Sequence, residues 1–136
     1  MVEHVFGDGR VSLRALPARS LDLLIIDAFS SGAIPVHLLT TQAFEAYLRV
    51  VKQDGLVLMH VSNKMLDLLP VVYSNAEAVG VMACEKSNKN NCHPDAEYTY
   101  WAALTRDAGR LETLIRSLDW WQRDGDSLPA PWTDQY

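Results

Sequence analysis

The segment Leu21-Asp22-Leu23-Leu24-Ile25-Ile26 is apolar at every position but one and stops at Asp27. Such a run is far too short for a bilayer, and its lack of alternation predicts a strand covered on both faces, in the middle of a parallel sheet. A strand of that kind needs neighbours on either side and helices above and below it. With 136 residues, 49% of them hydrophobic and 21% charged, the chain has enough material for one such domain and its core.

The rest of the sequence alternates strand-like and helix-like segments in the manner of an α/β domain. Val2 to Phe6 reads as the end of a strand halted by Gly7-Asp8-Gly9, and Val11 to Leu16 as one or two helical turns stopped by Pro17. From Thr40 or Thr41, both N-capping residues, Phe44, Tyr47, Leu48 and Val51 recur at helical spacing, with Lys52 and Gly55 as stop signals. Leu56 to Val61 makes a second buried strand, reached by a right-handed crossover. A helix is expected from Asp67 to Val79, with Pro70 in its first turn and Leu69, Val72, Ala76 and Val79 on one face before Gly80. Val81 to Glu85 is a third strand, 86–96 a polar loop and Glu97 to Leu104 a fourth strand rich in Tyr, Thr and Trp. A loop that joins two strands without a helix makes them antiparallel. Ala108 to Leu118 closes the series as a helix, and 120–136 reads as irregular.

Charge and cysteine usage narrow the function classes. The net charge is −5, with 12 Lys and Arg scattered among 17 Asp and Glu, so a phosphate-backbone footprint is missing and nucleic acid is not an expected partner. No run reaches membrane-spanning length and no signal pattern opens the chain, so no membrane insertion and a cytoplasmic location are expected. Cys84 and Cys92 are too few for a disulfide scaffold. With His93 and Asp95 they also fall short of zinc-motif spacing, so no metal site is expected, and one core thiol and one loop thiol account for them.

In open parallel sheets ligands bind beyond the carboxyl ends of the strands. The residues there are Gly7-Asp8-Gly9, Asp27-Ala28-Phe29-Ser30-Ser31 and His60 to Asn63, which should rim one crevice. The linked segments Asp22 to Ser31, Ala33-Ile34-Pro35-Val36-His37-Leu38-Leu39-Thr40 and His60-Val61-Ser62-Asn63, with Gly7-Asp8-Gly9-Arg10 and Pro131-Trp132-Thr133-Asp134, resemble spermidine synthase-like proteins.

That resemblance implies a partial methyltransferase-type Rossmann sheet over residues 1–136, mostly parallel with a terminal antiparallel strand and helices on both faces. It implies aminopropyl transfer from decarboxylated S-adenosylmethionine, a co-substrate rather than a tightly bound cofactor, to a small-molecule amine. By the same resemblance Gly7, Asp8, Gly9 and Asp27 bind the adenosyl nucleotide, Asp27 is the catalytic carboxylate that orients the amine, and Ser30, Ser31 and Asp134 contact substrate. Residue by residue, Asp8 serves either as the adenine ligand or as the cap of the short helix near Arg10, and Asp27 either as the catalytic group or as a turn residue.

Gly32 stands where many members carry a second aspartate, and the family's Gly-rich loop after its first strand is expected to lie outside this chain. A non-catalytic remnant or assembly module of the same fold, and a methyltransferase-like enzyme, are the other two readings. His37 and His60 read either as acid–base groups or, as is commoner at a strand end or helix start, as hydrogen-bonded structural histidines; Tyr98, Tyr100 and Trp101 read mainly as core packing, and 86–96 with 120–136 either as a lid or as surface. In the family's sheet the first strand of the domain flanks Leu21 to Ile26. Without it that edge stays open, and a homodimer is expected to cover it unless Val2 to Phe6 folds back to pair with it.

Overall fold

The computed structural model describes residues 2–28, 34–63, 65–89, 98–123 and 127–135. Asp8 caps helix α1 (Gly9–Ala15), its carboxylate accepting from the backbone N–H groups of Arg10 and Val11. Strand β1 (Leu21–Ile26) follows, then a 3-10 turn at Val36–Leu38 and helix α2 (Thr41–Val50). The Thr40 hydroxyl accepts from Ala43 N–H at 3.3 Å and so caps α2, whose Ala43, Phe44, Tyr47, Leu48 and Val50 are buried.

Strand β2 (Val51–His60) leaves α2 directly, and helix α3 (Leu69–Ala78) tolerates Pro70 because it falls in the first turn. Gly80 takes the left-handed conformation, φ +69°, which lets Val81 N–H reach back to Ala76 O at 2.9 Å and close the helix. Strands β3 (Met82–Ser87) and β4 (Tyr100–Thr105) precede helix α4 (Ala108–Ser117), which Asp107 caps through Arg110 N–H at 2.7 Å.

The four strands form one sheet in the order β1-β2-β4-β3. β1 runs parallel to β2, and β4 is antiparallel to both β2 and β3. The last strand in sequence is therefore the antiparallel one, as expected, but it sits inside the sheet. Ala102, Ala103 and Leu104 are all 0% exposed, and a strand so completely covered gains most from paired edges on both sides.

Two apolar clusters lie on opposite faces of this sheet. Val57, Met59, Ala102 and Leu104 pack with Phe44 of α2 and Val72 of α3, while Cys84 and Ala103 pack with Leu111 and Leu114 of α4. The fold is a mixed α/β, three-layer, partial Rossmann-like sheet with helices on both faces.

Three expectations are corrected. β1 is an edge strand rather than a central one, with Leu23 and Ile25 46% and 52% exposed, because α4 packs on β3 and β4 and does not cover β1. Val2 to Phe6 forms no strand and does not pair with β1; Val2, Val5 and Phe6 are exposed. Helix α2 ends at Val50, five residues before Gly55, which lies inside β2. Leu21 pairs with Val51 and Leu23 with Leu56, so β2 advances five residues while β1 advances two, and the surplus is gathered as an irregularity around Gly55.

Candidate functional site

The carboxyl end of β1 and the N-terminus of α1 border a cavity of about 870 Å³. Asp8, Gly9, Arg10, Asp27, Ala28 and His37 are among its lining residues, and apolar surface comes from Leu13, Leu16 and Leu24. Of the sequence-derived nucleotide residues, Asp8, Gly9 and Asp27 thus share one cavity. Gly7 is not in its wall, but its φ of +129° is a conformation that side chains rarely allow, so it shapes the turn carrying Asp8. Ser30 and Ser31 lie outside the described residues, as do Cys92, His93 and Asp95.

Asp8 is fully exposed, and both of its helix-capping bonds go to one oxygen, Oδ1. The Val11 and Arg10 amides hold its carboxyl below the usual carboxylate range. The second oxygen is not spent on the cap, so capping and ligand contact are compatible for this residue.

Asp134 closes an adjoining cavity of about 410 Å³ with Arg10, His37 and Thr40. Arg10 donates to both of its oxygens, at 3.0 and 2.8 Å, and also to His37 O at 2.8 Å. Thr40 donates its hydroxyl to Asp134 at 2.6 Å. This fork, with the Thr41 N–H donating to Trp132 O at 2.8 Å, straps the C-terminal segment across the start of α2.

Arg10 first, and then Thr40, lower the Asp134 carboxyl from 3.8 to about 2. A depressed folded-state value means that the strap contributes its stability above about pH 4 and loses it as the pH falls through about 2. Amide exchange at 39–42 and 132–135 should rise across that window, and Asp134→Asn should raise it above the window and make little difference below it. Protection unchanged between about pH 5 and about pH 2 would refute the linkage.

Asp27 ends β1 beside His60, which ends β2; their neighbours Ile26 and Met59 are register partners. His60 Nδ1 lies 2.9 Å from Asp27 Oδ1, and Nε2 lies 2.7 Å from Ser62 Oγ. The ring stacks on Trp101 of β4, centroids 4.7 Å apart and planes within 8°. Sequence reading placed His60 at the rim but missed its pairing with Asp27. The signal was present: two parallel apolar runs end in register, one on Asp and the other on His.

A second cavity, of about 510 Å³, opens beyond β2 and β3 between Asn63, Asp67, Glu85, Tyr100, Trp121 and Arg123. Glu85 is buried, accepts from the Trp121 indole at 2.6 Å and meets Arg123 at 3.3 Å, while Arg123 also reaches Asp67 at 3.3 Å. Sequence reading found none of this, because the three charged residues come from separate segments with no common motif. The Cys84 thiol is buried and pushed up to about 12, which leaves it inert as a nucleophile.

No protein-family model matches the chain, and no curated protein matches it. Among solved structures it is similar to spermidine synthase from Thermotoga maritima, with a TM-score of 0.61 and 16% sequence identity. The likeness covers 96% of this chain and 43% of that one, so the chain spans less than half the length of that relative. The fold is spermidine synthase-like. Among the described residues no helix is long and apolar enough to cross a membrane.

Proposed function

We propose that this chain carries a spermidine synthase-like crevice that takes an adenosyl nucleoside and an amine, for aminopropyl transfer from decarboxylated S-adenosylmethionine. The observation that carries this reading is the lining of one 870 Å³ cavity by both Asp8 and Asp27 at the carboxyl end of a parallel strand. Its size falls within the usual range for small-molecule sites. Leu13, Leu16 and Leu24 suit the flat face of a purine, and the Asp8 carboxylate suits an exocyclic amino group.

In such a transfer the amine nitrogen attacks the methylene next to the sulfonium. The carbon–nitrogen bond forms, the carbon–sulfur bond breaks, and sulfur keeps the electron pair as a neutral thioether. A carboxylate at the position of Asp27 holds the ammonium in line and receives its proton. Ser30, Ser31 and Asp134 are the proposed substrate contacts, the last through the Arg10 fork rather than through a spare oxygen.

Isothermal titration with methylthioadenosine and with decarboxylated S-adenosylmethionine tests this. Asp8→Ser is the informative variant, because serine keeps the helix cap and removes the charge. We expect binding by the wild type and roughly a tenfold or greater loss in Asp8→Ser, the size expected for a hydrogen bond to a charged group. Equal affinities, or no binding by a folded sample, would rule the reading out.

The open edge of β1 and the exposed Leu23 and Ile25 favour a second reading, an association module that forms a homodimer through this edge. Sedimentation should then show a dimer that Ile25→Lys dissociates. A monomeric wild type would contradict it.

A further inference from the structure

Four residues from four strands form one row across the carboxyl-terminal rim of the sheet: Asp27 after β1, His60 of β2, Trp101 of β4 and Lys86 of β3. His60 is the register partner of Trp101, and Trp101 that of Lys86. The order is an anion, an imidazole, an indole and a cation.

Each neighbour restrains the imidazole in a different way. Trp101 fixes the ring plane by stacking, and Ser62 fixes its rotation through Nε2. A carboxylate only accepts, so in a neutral ring Nδ1 carries the proton toward Asp27 and Nε2 accepts from the Ser62 hydroxyl, whose oxygen also takes the Tyr100 N–H at 2.8 Å. The Nδ1–H donates to Asp27 from a side chain only 19% exposed to one that is 56% exposed. The less exposed partner is the fixed one, and the carboxylate at the cavity rim is the one being held.

We propose that His60 is a positioning residue for Asp27, orienting the carboxylate that the cavity shows to an amine. This rests on the amine reading given above. The imidazole holds the carboxylate toward the cavity, where a cationic amine would meet it. The charged groups facing the ring among the described residues are Asp27 on β1 and, beyond Trp101, Lys86 on β3, whose ammonium donates to Leu118 O. The linked bonds Ser62–His60–Asp27 have the order of a hydrolase triad, but Ser62 lines neither the 870 Å³ nor the 510 Å³ cavity, so orientation is the role that fits.

Two measurements test the pair independently of each other. Nitrogen-15 NMR of labelled imidazole should show the Nδ1–H tautomer for His60 in the wild type, and a move toward Nε2–H in Asp27→Ala. Titration with 1,4-diaminobutane should show affinity falling about fivefold in His60→Ala, which leaves the Asp27 carboxylate without its donor.

His60→Gln, which keeps a side-chain donor for Asp27, should retain most of the affinity that His60→Ala loses. Should Asp27→Asn bind the diamine as tightly as the wild type, or the wild type not bind it at all, the amine reading fails while the tautomer measurement still decides the pair. An Nε2–H tautomer in the wild type, diamine binding by His60→Ala as tight as by the wild type, or labelling of Ser62 by a fluorophosphonate overturns the positioning role.

Discussion

Asn75→Leu is expected to cost about 2–4 kcal/mol of folding free energy, although leucine is nearly the same size as asparagine. Asn75 is 0% exposed on α3, and its two ends serve different parts of the chain. Its Nδ2 donates to Leu39 O ahead of α2, and its Oδ1 accepts Trp132 N–H at 2.8 Å. Leucine fills the space but leaves a buried carbonyl and an amide without partners, at about 1–3 kcal/mol for each. Urea unfolding of the two proteins gives the number, and a loss below about 0.5 kcal/mol would show that the amide is not the bolt described here. The same variant should raise amide exchange at Trp132 before global unfolding, because the strap to Arg10 and Thr40 loses its inner anchor.

Gly55→Val is expected to destabilise by about 1–3 kcal/mol, against the ordinary preference of strands for β-branched residues. A Cβ at position 55 would lie 2.4 Å from Val51 Cγ1, 3.0 Å from Asp22 O and 3.1 Å from Lys52 O. Two of these contacts are backbone, and the third is a buried side chain stiff at χ1, so none yields cheaply. Gly55 O also accepts the Thr105 hydroxyl at 3.1 Å, which ties the irregular start of β2 to the end of β4. Gly55→Ala should already show part of the loss. A variant as stable as the wild type in urea unfolding would mean that the β1–β2 register shift relaxes freely.

The strap and the Gly55 irregularity also position the candidate site. Asp134 and Arg10 hold α1, the turn at His37 and the C-terminal segment together, and Asp8 sits at the head of that same α1. Behind Asp27, the shift around Gly55 sets how far β2 extends past β1, and thereby brings His60 level with Asp27. Loosening the strap should move the α1 wall of the cavity, and loosening the Gly55 shift should part Asp27 from His60.

Much of the fold was legible because apolar pattern and capping chemistry are local. The run Leu21 to Ile26 became β1 over those same residues, Thr40 and Gly80 bound α2 and α3 as their chemistry requires, and the loop between β3 and β4 made an antiparallel pair. The helix end before Gly55 was misplaced because glycine signals both a helix stop and a close backbone approach, and only the neighbour Asp22 O distinguishes them. For the site, Asp27 could be placed at the rim because the end of the β1 run is visible in sequence, whereas Asp8 and Gly9 reach the same cavity from the head of α1 and not from the end of a strand. The Asp134–Arg10 fork spans 124 residues and the Glu85–Arg123 pair 38, separations at which residue spacing carries no signal.

By itself the sequence determined β1 and the cores of the later strands and helices, since burial periodicity and caps act within a few residues, but not that Val2 to Phe6 stays outside the sheet. It also determined that Asp27 follows the first apolar run and that His60 closes the second. Tertiary structure alone decided that β4 lies between β2 and β3, that β1 keeps an open edge, and that Asp27 meets His60. Strand order and side-chain pairing depend on which surfaces are left to cover once the elements exist, and that is a property of the packed whole rather than of any segment.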